Sequence, residues 1–224
     1  MTAVSVDSLA ALGFVLGLRH ATEADHLAAI STIVTERRSV LSSLLVGGLW
    51  GFGHMVALLI AGVGVLLLRY QMTDRMTHAL ESCVGIMLLL LGANVLRGLT
   101  GRDANHTHDH TVVAVHSHGN AWLTVRPLLV GIVHGLAGSA PLLLLTLAVM
   151  SSPLAAFSYM GVFGVGSMMG MSIMSLLLSV PARLTAEHFG RTHLGLRVLS
   201  GLFSMSLGLS IVYQNGVLKQ LFAH

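Results

Sequence analysis

The sequence predicts an all-α membrane protein: six transmembrane helices in two inverted three-helix repeats, forming one transmembrane domain over residues 1–224. Three observations carry that expectation. The 224 residues are 54% hydrophobic and only 9% charged, with a mean hydropathy of +0.81; a soluble domain carries charge on about a quarter of its residues. Six apolar runs approach or exceed the roughly 20 residues that a spanning helix needs. The second half of the chain also repeats features of the first at a nearly constant offset.

The runs lie near 9–33, 41–68, 77–99, 125–150, 154–180 and 195–214. Asp7 is the only charge before the first run, so the segment lacks the basic start of a signal peptide and reads as mature protein. The connecting segments are "TERRS", "RYQMTDR", the polar stretch 100–121, a short "SSP" turn and "PARLTAEHFGRTH". With the N-terminus outside, the inside segments hold Arg37, Arg38, Arg97, Arg102, Arg126, Arg183, Arg191 and Arg197. The outside segments hold Arg69, Arg75 and Lys219. That excess predicts both termini outside and residues 100–121 in the cytoplasm. It also explains the net charge of +3 without nucleic acid. Cys83 is the only cysteine, which rules out an intrachain disulfide and a cysteine-based zinc site.

The repeat is read from three matched stretches. "LGLRHATEADHLA" (16–28) aligns with "VGIVHGLAGSAPL" (130–142), matching Gly17 to Gly131 and His20 to His134. "GGLWGFGHM" (47–55) aligns with "MGVFGVGSM" (160–168), with three shared glycines and His54 opposite Ser167. The third spans pair Gly85 with Gly201 and Gly92 with Gly208. Three spans per copy is an odd number, so the second copy (about 125–214) enters the membrane upside down relative to the first (about 9–99). Inverted repeats are a recurrent transporter architecture, with the substrate site near the midplane between the copies.

Chemistry concentrates in the first run. "GLRHATEADHLAAI" (17–30) places Arg19, His20, Glu23, Asp25 and His26 inside apolar sequence, and His54 and His134 fall inside the second and fourth runs. Ionisable residues at membrane depth usually face a cavity or a pathway. Imidazoles with one or two carboxylates form a borderline donor set, suited to nickel, cobalt, zinc or copper(II) and poorly suited to calcium or magnesium. The candidate metal residues are therefore His20, Glu23, Asp25, His26, His54 and His134. On a regular helix His20, Asp25 and His26 point in three different directions. Either the backbone unwinds between them or they divide the work. An unwound segment requires cover from protein or a water-filled cavity. Arg19 neutralises a carboxylate in the metal-free state or braces it as a structural ion pair.

The loop "NHTHDHTVVAVHSHGN" (105–120) adds His106, His108, His110, His116 and His118, the composition of a metal-binding tract at the cytoplasmic mouth. "GSMMGMSIM" in the fifth run, with Met168, Met169, Met171 and Met174, reads as packing. His78, Glu81, Asn94, His188, His193 and His224 sit near span ends, where solvated or snorkelled side chains are ordinary, and receive no role.

"RHATEADHLAAI" resembles the first-helix signature of the nickel/cobalt transporter family, an Arg-His-Ala start followed by His-x4-Asp-His. "GFGH" resembles the family's second-helix Gly-His motif, and "HGLAGSAPLLL" is similar to the shorter, urease-accessory-type high-affinity nickel permeases. The resemblance implies secondary transport of Ni²⁺ or Co²⁺ across the cytoplasmic membrane, with no prosthetic group and a cytoplasmic metallochaperone as candidate partner. Carried over by position, His20, Asp25, His26 and His54 belong to the metal pathway. Glu23 stands where many members have Asp, and the region around His134 and Ser139 lacks the carboxylate of the longer members.

The expectation is a carrier rather than an enzyme: a multi-pass permease for Ni²⁺ first and Co²⁺ second, importing rather than exporting. No G-x-x-x-x-G-K-[ST] loop occurs, so the drive comes from an ion gradient, the membrane potential or a partner. Two alternatives use some of the same residues. A haem-binding redox protein puts histidines in helices but leaves the carboxylates unexplained. A metal-dependent membrane enzyme needs an open coordination position and a base, and no H-E-x-x-H motif occurs.

Overall fold

A computed structural model describes residues 6–35, 39–66, 73–100, 124–137 and 152–215. The described residues are all-helical: α1 (Val6–His20), α2 (Ala24–Val34), α3 (Val40–Leu66), α4 (Asp74–Thr100), α5 (Thr124–Ala137), α6 (Pro153–His188) and α7 (Gly190–Gln214). Four of these, α3, α4, α6 and α7, are long and apolar enough to cross a membrane. Helices α1, α2 and α5 are apolar but shorter. The second half of the fourth predicted span, 138–150, and the five loop histidines His106, His108, His110, His116 and His118 lie outside the described residues.

The first predicted span is interrupted. After α1 the chain turns at Ala21–Glu23, and the backbone N–H groups of Thr22 and Glu23 bond three residues back, to the carbonyls of Arg19 and His20. The Thr22 hydroxyl also donates to the Arg19 carbonyl, at 2.6 Å, an alternative to the helical pattern that short hydroxyl side chains offer the backbone. Glu23 is extended, with φ −64° and ψ 150°, and caps α2. Asp25 follows in the first turn of α2, where its Oδ1 accepts from the His26 backbone N–H at 2.8 Å. A carboxylate there satisfies a donor that the new helix leaves unpaired and sits favourably at its positive end.

Helix α2 lies in the interior. His26, Ala28, Ala29, Ile30, Thr32, Ile33 and Val34 are all buried. Ala28, Ala29, Ile30 and Ile33 belong to a core shared with Trp50, Leu88, Val130 and Met171. Around it α3 packs on α6, α4 on α7 and α1 on α6. Close approach at these seams needs glycine. A Cβ on Gly17 would collide with the Phe163 carbonyl oxygen, and one on Gly131 with that of Trp50. The long helices turn large apolar side chains outward, among them Leu41, Ile60, Leu90, Leu154 and Leu199.

Two expectations are corrected. "PARLTAEHFGRTH" was expected as a loop, but α6 continues through Pro181 to His188, and only Phe189 separates it from α7. The added turns are held by an Arg183–Glu187 ion pair of 2.7 Å, at the i,i+4 spacing that stabilises helices, and by the Thr185 hydroxyl donating to the Pro181 carbonyl. Of the methionine group, Met171 is fully buried and Met174 packs against the core. Met169, 44% exposed, faces outward instead.

Candidate metal centre

The break between α1 and α2 is what gathers the ionisable residues. It ends α1 at His20 and starts α2 so that His26 points inward, bringing the two imidazole centroids to 4.5 Å. His54, on the glycine-rich face of α3, sits 5.1 Å from His20 and 5.6 Å from His26 between ring centroids. His134, on α5, lies 4.1 Å from His26. Four imidazoles from four helices therefore gather at the chain break, His26 lying beside each of the other three.

The carboxylates fix the tautomers. Glu23 Oε1 lies 3.0 Å from His20 Nδ1. Asp25 Oδ1 lies 3.0 Å from His26 Nδ1, and Asp25 Oδ2 lies 2.9 Å from His134 Nε2. An ionised carboxylate only accepts hydrogen bonds, so each of these ring nitrogens donates a proton, and in the neutral ring the opposite nitrogen carries the lone pair. Those opposite nitrogens are His20 Nε2, His26 Nε2 and His134 Nδ1. All three are buried without a hydrogen-bond partner among the described residues, as is His54 Nδ1. Buried polar atoms nearly always find a partner. The unpaired imidazole nitrogens of His20, His26 and His54 are therefore a donor set suited to a cation.

Two subsets are compact. One ligand atom from each of His20, His26 and His54 lies within 4.8 Å of the others, and the same holds for Asp25, His26 and His134. His26, His54 and His134 are at most 1% exposed. A cavity of about 760 Å³ opens beside them, lined in part by Arg19, His20, Glu23, Asp25, Glu81 and His134.

All six predicted metal residues are thus brought together, but not in one role. Glu23 holds the His20 ring from behind, while Asp25 anchors His26 and His134 and is itself part of a compact donor set. Arg19 is exposed on the cavity wall and forms no ion pair among the described residues. Two residues to which the sequence reading gives no role also stand at the site. Trp50 stacks on His26, with centroids 5.4 Å apart and planes at 22°; its position four residues before His54, on the same helix face, was the available signal. Glu81, given no role above, reaches the cavity from α4.

The chain is 34% identical over 227 residues to the urease accessory protein UreH of Bacillus sp. (strain TB-90), covering 99% of this chain and 98% of that protein. It is 27% identical over 209 residues to the chloroplast protein FOR GROWTH AND FERTILITY 2 of Arabidopsis thaliana. Over 210 residues it is 27% identical to FOR GROWTH AND FERTILITY 1 of the same plant. Each plant match covers 89% of this chain but only 55% and 57% of the respective plant proteins. No family model and no solved structure matches. Sharing about a third of its residues with UreH from end to end, the chain belongs to the UreH-type nickel/cobalt permease family.

Proposed function

We propose that this protein is a multi-pass permease of the cytoplasmic membrane that imports Ni²⁺, with Co²⁺ as second substrate, through a site at the α1–α2 break. The observation that carries the reading is the group of buried, unpaired imidazole nitrogens on His20, His26 and His54. Neutral imidazole suits these ions. Metal–nitrogen bonds of about 2.0–2.1 Å hold donor atoms no more than about 4.2 Å apart, so small side-chain adjustments close the present spread. Glu23 and Asp25 orient the rings and raise their basicity, as carboxylates behind metal-binding histidines do. His134 completes the cluster.

The proposed architecture is six spans in two inverted three-helix repeats, with α1 and α2 together forming one discontinuous span and α5 beginning the fourth. Support comes from close contacts that recur in exchanged pairs when repeat partners are swapped. Gly17 meets Phe163 as Gly131 meets Trp50; Gly53 meets Leu128 as Gly166 meets Phe14; Gly51 meets Met168 as Gly164 meets Met55. Gly208 meets Gly85 as Gly92 meets Gly201. A discontinuous helix at the repeat interface is where secondary transporters bind ions, the carbonyl end of the half-helix favouring a cation. In the proposed topology both termini lie outside and the 100–121 loop, with its five histidines, collects metal at the cytoplasmic mouth and passes it to a metallochaperone. An interior-negative potential drives import with about 2.3 kcal/mol per charge for each 100 mV.

The test is radiolabelled nickel accumulation in cells expressing wild type, His20→Ala or Asp25→Ala, with zinc and cobalt as competitors. Wild type is expected to accumulate nickel above empty vector and both variants to fall to background. Wild-type cells indistinguishable from empty vector in uptake and efflux would sink the reading.

A further inference from the structure

His26 occupies a singular place in this cluster. The repeat pairs His20 with His134, whereas Asp25 and His26 have Ser139 and Ala140 at the matching positions. His26 therefore lies between two repeat-related histidines, with centroids 4.5 Å from one and 4.1 Å from the other. It is also the one residue common to both compact donor sets, His20–His26–His54 and Asp25–His26–His134. The two sets differ in access. Asp25 and His134 both line the cavity; of the other set only His20 does, while His26 and His54 lie behind it.

We propose that the protein holds its metal ion at two overlapping stations in turn, with His26 as the shared ligand that passes it between them. This rests on the permease reading above and adds a second station, with His134 as a ligand, to the site. At the cavity station the donors are an Asp25 oxygen, His26 Nδ1 and His134 Nε2. At the inner station they are His20 Nε2, His26 Nε2 and His54 Nδ1.

The bookkeeping of protons makes the stations mutually exclusive. Without metal, His26 Nδ1 and His134 Nε2 donate to Asp25. An ion arriving between them takes those two nitrogens and the carboxylate. Each ring then carries its proton on the opposite nitrogen, so the net number of protons on the protein is unchanged. Transfer inward returns the His26 proton to Nδ1, which frees Nε2 for the ion, and His134 goes back to donating to Asp25. A neutral imidazole has one lone pair, so His26 serves one station at a time. The exchange keeps at least one protein ligand on a dehydrated ion throughout the step. Glu23 and Glu81 on the cavity wall concentrate cations at the entrance.

The test uses the full-length protein, purified in detergent and in proteoliposomes, with Co²⁺ alone as the probe. His54→Gln removes an inner donor, His134→Gln a cavity donor and His26→Gln the shared one. Wild type is expected to bind one Co²⁺ per chain. His54→Gln and His134→Gln are each expected to retain one Co²⁺, with different ligand-field spectra: two imidazoles with a carboxylate in the first, three imidazoles in the second. Neither should transport, and His26→Gln should lose binding at both stations. All variants are checked as monodisperse peaks in size exclusion, and asparagine replaces glutamine where one is not. The proposal is overturned if wild type binds two Co²⁺ at once, if His54→Gln binds none, or if His134→Gln transports at the wild-type rate. Wild type that binds no Co²⁺, or binds it without transport, overturns the permease reading itself.

Discussion

His134 Nε2 lies 2.9 Å from Asp25 Oδ2 across 109 positions of sequence, so one carboxylate ties α5 to the start of α2. The other Asp25 oxygen takes both the His26 ring and the His26 backbone N–H. Few single side chains in the described structure hold so many parts of the site.

Asp25→Asn keeps the size but replaces one acceptor oxygen with an NH₂ donor. One of the two histidines then faces a donor and must reverse its tautomer or lose its bond, at a cost of about 1–3 kcal/mol for the unpaired group. Nickel uptake per unit of membrane-inserted protein is expected to fall at least about tenfold, measured against an immunoblot of the membrane fraction.

Glu23→Gln tests a carboxylate acting through another residue. Glu23 is 57% exposed and touches the centre only through His20 Nδ1. Loss of such an orienting partner is expected to weaken metal affinity by about 10–100-fold with little effect on folding. Calorimetric titration of the purified variant, beside His20→Ala, separates the two: His20→Ala removes a donor and should bind more weakly than Glu23→Gln.

The glycine seams make a packing prediction with its own control. A Cβ on Gly131 collides with the Trp50 carbonyl oxygen, while one on Gly161 meets nothing within 4 Å. Gly131→Ala should lower the yield of folded protein and its thermal midpoint in detergent. Gly161→Ala should be neutral or slightly stabilising, by up to about 1 kcal/mol, because alanine is the better helix former.

Trp50 provides a spectroscopic reporter, since it stacks on His26 and Trp122 is the only other tryptophan. In a Trp122→Phe background, Co²⁺ or Ni²⁺ should quench Trp50 emission through the open d shell, while d¹⁰ Zn²⁺ should leave it bright. Equal emission with all three ions places the metal away from His26.

Much of this was legible in the sequence because its signals are local. Composition and apolar run length pointed to membrane helices, and α3, α4 and α7 begin and end within five residues of the expected spans. Helical geometry restricted "GLRHATEADHLAAI" to an interruption or a division of labour, and the chain uses both: it breaks at Ala21–Glu23 and still sets Asp25 to anchor His26 and His134. The rest depends on contacts between distant segments. Nothing local announces that Asp25 accepts from His134, that Trp50 covers His26, or that Glu81 reaches the cavity, because each arises only when separate helices pack. The continuation of α6 past Pro181 was missed because a run of polar residues looks the same in a loop and in a helix outside the apolar layer.

Radiolabelled nickel flux into proteoliposomes holding purified protein, under an imposed interior-negative potential, measures the proposed import most directly. Wild type should accumulate nickel in proportion to that potential, and His26→Ala should match protein-free liposomes. Wild-type flux no faster than that of protein-free liposomes, in protein that is folded and correctly inserted, would mean that the protein is not a nickel importer.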